Sequence, residues 1–130
     1  MLYAAHSGIR YLVLAAGVAV VLFALYGSLR RRPYAPAMAR LSATFAGLLH
    51  LQILIGFATL LSRPFHTRLI GHIFAMLAAA AVAQLVGSVM KRRPEEERSH
   101  LPHLVSALVA LALVAVGIHA IGRGMLQSTL

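Results

Sequence analysis

The stretch LSATFAGLLHLQILIGFATLL, residues 41–61, decides the fold. It holds 21 residues without a single Asp, Glu, Lys or Arg, and about 20 apolar residues are enough for a helix to cross a bilayer. It also carries His50 near its centre. Polar side chains are costly inside a membrane and usually mark functional sites. The segment therefore predicts a membrane helix and raises the question of what His50 does there.

Three further segments have the same character, at residues 9–29, 69–90 and 104–121, and every connecting stretch contains a Pro. The chain is 60% hydrophobic and only 12% charged, whereas a soluble domain carries about 25% charged residues. Short connections favour helices that alternate in direction. We therefore expect an all-α integral membrane protein: one antiparallel four-helix bundle formed by residues 1–130.

The basic residues are unevenly divided between the two ends of these segments. Cytoplasmic loops of membrane proteins carry the excess of Lys and Arg, so the richer end predicts the cytoplasmic side and places both termini in the periplasm. We expect a multi-pass protein of the bacterial cytoplasmic (inner) membrane. The richer end holds Arg30, Arg31, Arg32, Arg40, Lys91, Arg92, Arg93 and Arg98, and the other holds Arg10, Arg63, Arg68 and Arg123.

The formal charge is +9, which in a soluble protein would indicate nucleic acid. Here most of the basic residues flank apolar runs. Membrane lipids, with anionic headgroups on the cytoplasmic side, are therefore the expected partners, and nucleic acid is not.

The histidines differ in their predicted depth, because a helix rises about 1.5 Å per residue from a basic boundary. His50 lies roughly 15 Å beyond Arg40, close to the middle of the membrane. His72 and His119 lie roughly 6 Å from the outer surface, and His6 lies at the outer interface. We expect the remaining three to be solvated or at headgroup level; they are His66, His100 and His103.

The predicted core limits which cofactor these side chains can bind. It offers no Cys and no carboxylate, so the ligands of structural zinc, calcium and magnesium sites are missing. Haem iron accepts His or Met, and copper accepts both as well. His72 and Met76 share one helix face, which is compatible with copper. The candidate metal ligands are His6, His50, His72, His119 and Met76.

Haem accounts for more of the surrounding residues. A flat macrocycle needs small residues beside its ligands, and Gly47 lies one turn before His50. Its carboxylates need cationic partners, for which Arg10 and Arg68 stand on the same predicted side as His6 and His72. No Cys is present for covalent attachment, so the haem would be b-type.

A resemblance to a known family supports haem. The opening His6-Ser7-Gly8-Ile9-Arg10-Tyr11 resembles the His-Ser-x-x-Arg-Trp opening of short four-helix bacterial membrane proteins catalogued as "cytochrome B". The segment His50-Leu51-Gln52 is similar to the His-x-Gln motif of that family, and His72 with Met76 resembles the start of its third helix. The resemblance covers most of the chain and implies that His6, His50 and His72 are the functional histidines. His119 matches no motif of the family.

These observations predict a b-type haem protein that carries electrons, with quinol among the candidate partners, rather than an enzyme in its own right. The axial pairing stays open, because depth favours His72 with His6 or His119, while burial ranks His50 and His72 first. Two alternatives also stay open. One is a structural accessory subunit of a larger respiratory or photosynthetic complex, in which the buried histidines would bond to neighbouring residues or hold a pigment. A homo-oligomer, and a chain without any cofactor, stay open with it. The other is a copper-handling protein.

Overall fold

The computed structural model describes residues 2–122, and these form four long α-helices. The helices are α1 (Leu2–Leu29), α2 (Pro36–Ser62), α3 (Arg68–Arg92) and α4 (Leu101–Ala120), and a 3₁₀ turn at Glu95–Glu97 precedes α4. Each helix is long and apolar enough to cross a membrane. The prediction of an all-helical chain with four candidate spans is therefore confirmed. Arg123, counted above with the outer arginines, lies outside the described residues.

Three helices begin earlier than the hydrophobic segments indicate. α1 begins at Leu2 rather than at residue 9, so both His6 and Arg10 lie inside it. α2 begins at Pro36, and α4 has Pro102 in its first turn. Proline is tolerated there because the first N–H groups of a helix have no intrahelical partner. The helices thus extend beyond their apolar cores into the polar flanks.

The interior of the bundle consists mainly of small side chains. α1 packs against α2 and α4, and α3 packs against the same two helices. Small residues let membrane helices approach closely. Many large apolar residues point outward, as expected for a surface that faces lipid, although Met38, Phe45 and Leu49 are buried. The buried small residues include Ala24, Ala46, Ala79, Ala80, Ala83, Ala107 and Ala110, and the exposed large ones include Leu12, Leu22, Leu54, Phe57, Leu61, Phe74 and Leu85.

Contacts between helices bring early residues of one helix beside late residues of its neighbour. In α4, the Ser106 hydroxyl donates a hydrogen bond to the Val82 carbonyl of α3 at 3.0 Å. Near the other end, α1 is tied to the second half of α2, and the start of α3 is tied to the end of α4. These two ties are made by histidines, and they position the candidate site.

Candidate functional site

His6 of α1 and His72 of α3 face each other inside one end of the bundle. Their ring centres are 6.1 Å apart and their planes are nearly perpendicular, at 84°. Both side chains are partly buried. The structure therefore brings together one of the pairings that depth allows, on two helices that are not sequence neighbours.

A backbone carbonyl holds each of the two rings. His6 Nδ1 donates to the Gln52 carbonyl of α2 at 3.2 Å, and His72 Nδ1 donates to the Gly117 carbonyl of α4 at 2.8 Å. A carbonyl oxygen only accepts, so each Nδ1 carries the hydrogen. Each Nε2 then keeps its lone pair. This tautomer is the one that lets a histidine bind a metal through Nε2.

Gln52 strengthens the attachment of α1 to α2. Its side-chain Nε2 donates to the His6 carbonyl at 2.6 Å, so His6 and Gln52 are joined by two hydrogen bonds. Gln52 is buried, with 8% of its surface exposed. A polar side chain in the middle of an apolar run is the sequence signal for such a contact between helices. The predicted ligand set does not include Gln52, whose amide supports His6 instead of binding a metal.

Two glycines allow close packing at the site. A Cβ added at Gly56 would stand only 2.7 Å from His6 Cε1. A Cβ added at Gly117 would clash with the Met76 methyl group, whereas it would make an ordinary contact of 3.5 Å with His72 Nδ1. Gly56 therefore makes room for the His6 ring, and Gly117 makes room for Met76.

The histidine pair borders a cavity of about 50 Å³, and the side chain of Arg10 also lines it. Arg10 lies one turn after His6 and is only 6% exposed. Its Nη2 donates to the Tyr11 hydroxyl at 2.9 Å, and its guanidinium lies 4.7 Å from the centre of that ring. Met76, one turn after His72, lines the same cavity and is buried. Four predicted site residues thus share one location.

His50 lies elsewhere. The inward side of α2 carries Leu49 and Gln52. The His50 side chain is exposed on the outside of the bundle, where its Nε2 donates to Gln84 Oε1 of α3 at 3.2 Å. The expectation that His50 is among the most buried histidines is therefore wrong. Gly47 is also exposed, and a Cβ there would meet nothing within 4 Å.

The other predicted residues are peripheral in the structure. Arg68 and His119 are exposed, at the start of α3 and the end of α4, and neither lines the cavity. Arg63 lies 4.3 Å from the centre of the Tyr3 ring, and Tyr3 borders the cavity. No group of three or more His, Cys, Asp or Glu side chains arranged to hold a metal ion occurs within residues 2–122.

A second histidine cluster lies at the opposite end of the bundle. His100 and His103 are only 3% and 1% exposed, so they are not solvated; their expected level at the headgroups stays a prediction. A 2.8 Å hydrogen bond joins His103 Nε2 to the Tyr34 hydroxyl, and the two rings stack. His103 Nδ1 is buried and has no hydrogen-bond partner among residues 2–122. Gly27 makes room for His100, because a Cβ there would stand 2.6 Å from the imidazole.

Burial shifts the ionisation of the two members of this cluster that lie outside the helices. It lowers the pKa of His100, because a charged imidazole would lose hydration there. Burial raises the pKa of Tyr34, and the nearby positive charge of Arg98 opposes this shift in part. Both groups are therefore neutral near pH 7, which suits their close ring packing.

Comparison with known proteins finds no matching family model, no similar curated protein and no similar solved structure. The site must therefore be interpreted from its own geometry.

Proposed function

We propose that this protein is an integral membrane electron carrier that binds a b-type haem through His6 and His72. One observation carries the proposal: two imidazoles face each other, each with Nδ1 bound to a carbonyl and Nε2 available. His6 and His72 would hold the iron between them, and their ring centres lie 6.1 Å apart in a nearly perpendicular arrangement.

The donor set of the site fits haem. Haem iron accepts two neutral imidazoles as axial ligands. A bound haem supplies an iron that takes up and releases one electron. The carbonyls of Gln52 and Gly117 fix the orientation of the two rings and increase the basicity of Nε2, as hydrogen-bonding partners of metal ligands generally do.

Arg10 favours haem over a bare metal ion. It is buried beside the histidines, and guanidinium groups pair readily with carboxylates. The carboxylates of a haem would therefore be attracted to this side of the site. A metal cation without anionic ligands would instead be repelled by the guanidinium in a medium of low dielectric constant.

The size of the cavity favours a second candidate, copper. A cavity of about 50 Å³ accommodates a metal ion, whereas a haem macrocycle requires the lining side chains to move apart. Met76 lines the same cavity, and thioether sulfur with imidazole nitrogen is a donor set that copper accepts. In this case the site would handle copper through His6, His72 and Met76.

We further propose that the four helices form an antiparallel bundle in the bacterial cytoplasmic membrane, with both termini in the periplasm. The contacts of His6 with Gln52 and of His72 with Gly117 support the alternating order. The excess of Lys and Arg at the opposite end supports the orientation. The histidine pair would then lie near the periplasmic face. A reporter that works only in the periplasm should be active when it is fused to the C-terminus. Activity of a reporter that works only in the cytoplasm, fused at the same point, would refute this orientation.

The experiment that tests the proposed function measures haem and copper in the purified protein. A pyridine haemochrome assay and elemental metal analysis are run on the wild type and on His6→Leu and His72→Leu. We expect about one haem per chain or per assembly in the wild type and loss of most of it in each variant. Copper in place of haem, lost in the same variants, would establish the second candidate.

Two further histidine variants complete the experiment. His66→Leu is the control, because His66 lies in an exposed connection, and it should retain the bound group. His50→Leu tests the prediction that His50 is a ligand. If His50→Leu loses haem while His6→Leu and His72→Leu retain it, the assignment of the facing pair is wrong.

A further inference from the structure

A groove of about 160 Å³ lies between α2 and α3 and shares no lining residue with the histidine cavity. The groove is open beside Gly47 and Gly87, where an added Cβ would meet no atom within 4 Å. The groove faces outward between two candidate membrane spans. The small residues that form its walls are Ala39, Ala43, Ala46, Gly47, Ala83 and Gly87.

The mouth of the groove is positively charged. Lys91 and Arg98 line it, and no carboxylate is among its lining residues. Arg98 is held in place, because its Nε donates to the Arg93 carbonyl at 3.0 Å and its Nη2 donates to the Lys91 carbonyl at 3.2 Å. Since α3 ends at Arg92, this mouth lies where a membrane helix meets the headgroup layer.

Uncharged hydrogen-bonding groups follow the cations toward the middle of the membrane. Ser88 and Gln84 both line the groove, three and seven residues before Lys91 on the same helix. At the rise of an α-helix they lie about 4.5 Å and about 10 Å deeper than Lys91. The groove therefore changes from charged at Lys91 to polar at Ser88 and Gln84, and Gly47, Ala83 and Gly87 leave open or apolar space beside these polar groups. A phospholipid likewise carries its phosphate outside its ester oxygens, and its acyl chain can lie over small apolar residues.

We propose that this groove binds one anionic phospholipid, with its phosphate group at Lys91 and Arg98 and an acyl chain over Gly47 and Gly87. The ester oxygens accept hydrogen bonds from Ser88 and Gln84. The volume of the groove covers only part of one chain, so the rest of the lipid stays in the bilayer. This proposal does not depend on the group that His6 and His72 bind.

The test compares lipid retention by the full chain in detergent, using native mass spectrometry with added phosphatidylglycerol or phosphatidylcholine. The wild type should retain phosphatidylglycerol at least tenfold better, since each basic residue near a membrane surface contributes about a fivefold factor. Lys91→Gln should lower phosphatidylglycerol retention by about fivefold. Arg92→Gln is the matched control, because Arg92 is exposed and does not line the groove.

A second pair of variants tests the apolar part of the groove. Gly87→Leu should fill it and abolish retention of both lipids, whereas Gly8→Leu, at an open position on α1, should have no effect. Circular dichroism and chain mass in detergent are recorded for each variant. Equal retention by the wild type, Lys91→Gln and Arg92→Gln would overturn the proposal. It would also be overturned if Gly87→Leu left lipid retention unchanged and converted a dimer to a monomer, because a second copy of the chain would then occupy the groove.

Discussion

Replacing Gly56 by Ala tests whether the position of the His6 ring determines binding at the site. The added Cβ would stand 2.7 Å from His6 Cε1 and 3.2 Å from Nδ1. To reach an ordinary contact distance of 3.4 Å, the ring has to move by about 0.7 Å. The Nδ1 hydrogen bond to Gln52 is already 3.2 Å long, so a shift away from α2 breaks it.

The two effects of this substitution differ greatly in size. Interhelical hydrogen bonds in membranes contribute about 0.6 kcal/mol on average, so the bundle should lose little stability. Metal–ligand distances, in contrast, tolerate only about ±0.2 Å. Loss of the hydrogen-bonding partner of a metal ligand typically lowers affinity by about 10- to 100-fold. Gly56→Ala should therefore fold like the wild type and bind haem about 10- to 100-fold more weakly.

The assay is a titration of the haem-free protein with haemin, followed by absorption spectroscopy, with thermal unfolding in detergent measured alongside. Gly8→Ala is the matched control, because a Cβ at Gly8 meets nothing within 4 Å. It reports the effect of exchanging Gly for Ala in a helix, which in soluble hosts is about 1 kcal/mol. Equal haemin affinity of Gly56→Ala and Gly8→Ala would show that His6 is not a ligand in the observed position.

Two further predictions concern Arg10 and His100. Arg10→Gln should release haem more readily while leaving membrane insertion unchanged. The control is Arg63→Gln, directly after the end of α2, which should retain haem like the wild type. Equal haem content in the two variants would show that Arg10 does not contribute to haem binding. Burial lowers the pKa of His100 in the folded chain, so below about pH 6.5 the unfolded chain binds a proton more readily than the folded chain does. The thermal midpoint of unfolding should therefore fall as the pH drops from about 6.5 toward the lower folded-state pKa. His100→Phe should remove this part of the pH dependence between pH 8 and pH 5, whereas His66→Phe should preserve it; identical pH profiles for the two variants would contradict the assignment.

The sequence predicts the number of helices well and the faces of those helices poorly. Long apolar runs bounded by Arg and Pro indicate the four spans, because bilayer thickness fixes their length. The same runs are apolar on every side, so they contain no amphipathic pattern to show which face points inward. His50 follows the inward-facing Leu49 by one position, which rotates it by about 100° around the helix axis. Its side chain therefore points away from the interior of the bundle. The sequence therefore indicates where each helix runs along the chain but not which of its faces points inward.

The partners of the histidines depend on contacts between helices distant in sequence. His6 and His72 are 66 positions apart, and close packing around them depends on glycine on two other helices, with Gly56 beside His6 and Gly117 beside Met76. His100 and His103 were misplaced for a different reason. α4 begins at Leu101, three residues before its apolar run, and residues spaced by three share a helix face. That face is covered by Tyr34, a contact that hydropathy cannot indicate.

The two buried histidine clusters differ in which ring nitrogen is already bound, and this difference assigns a separate role to each. In His6 and His72 the bound nitrogen is Nδ1, beside the main chain, so Nε2 at the tip of the ring can reach a ligand. In His103 the tip nitrogen Nε2 is bonded to the Tyr34 hydroxyl instead. Its remaining nitrogen, Nδ1, is buried and has no hydrogen-bond partner among residues 2–122. The cluster at the start of α4 therefore ties α4 to the connection between α1 and α2, whereas the metal binding that we propose uses the Nε2 atoms of His6 and His72 at the opposite end.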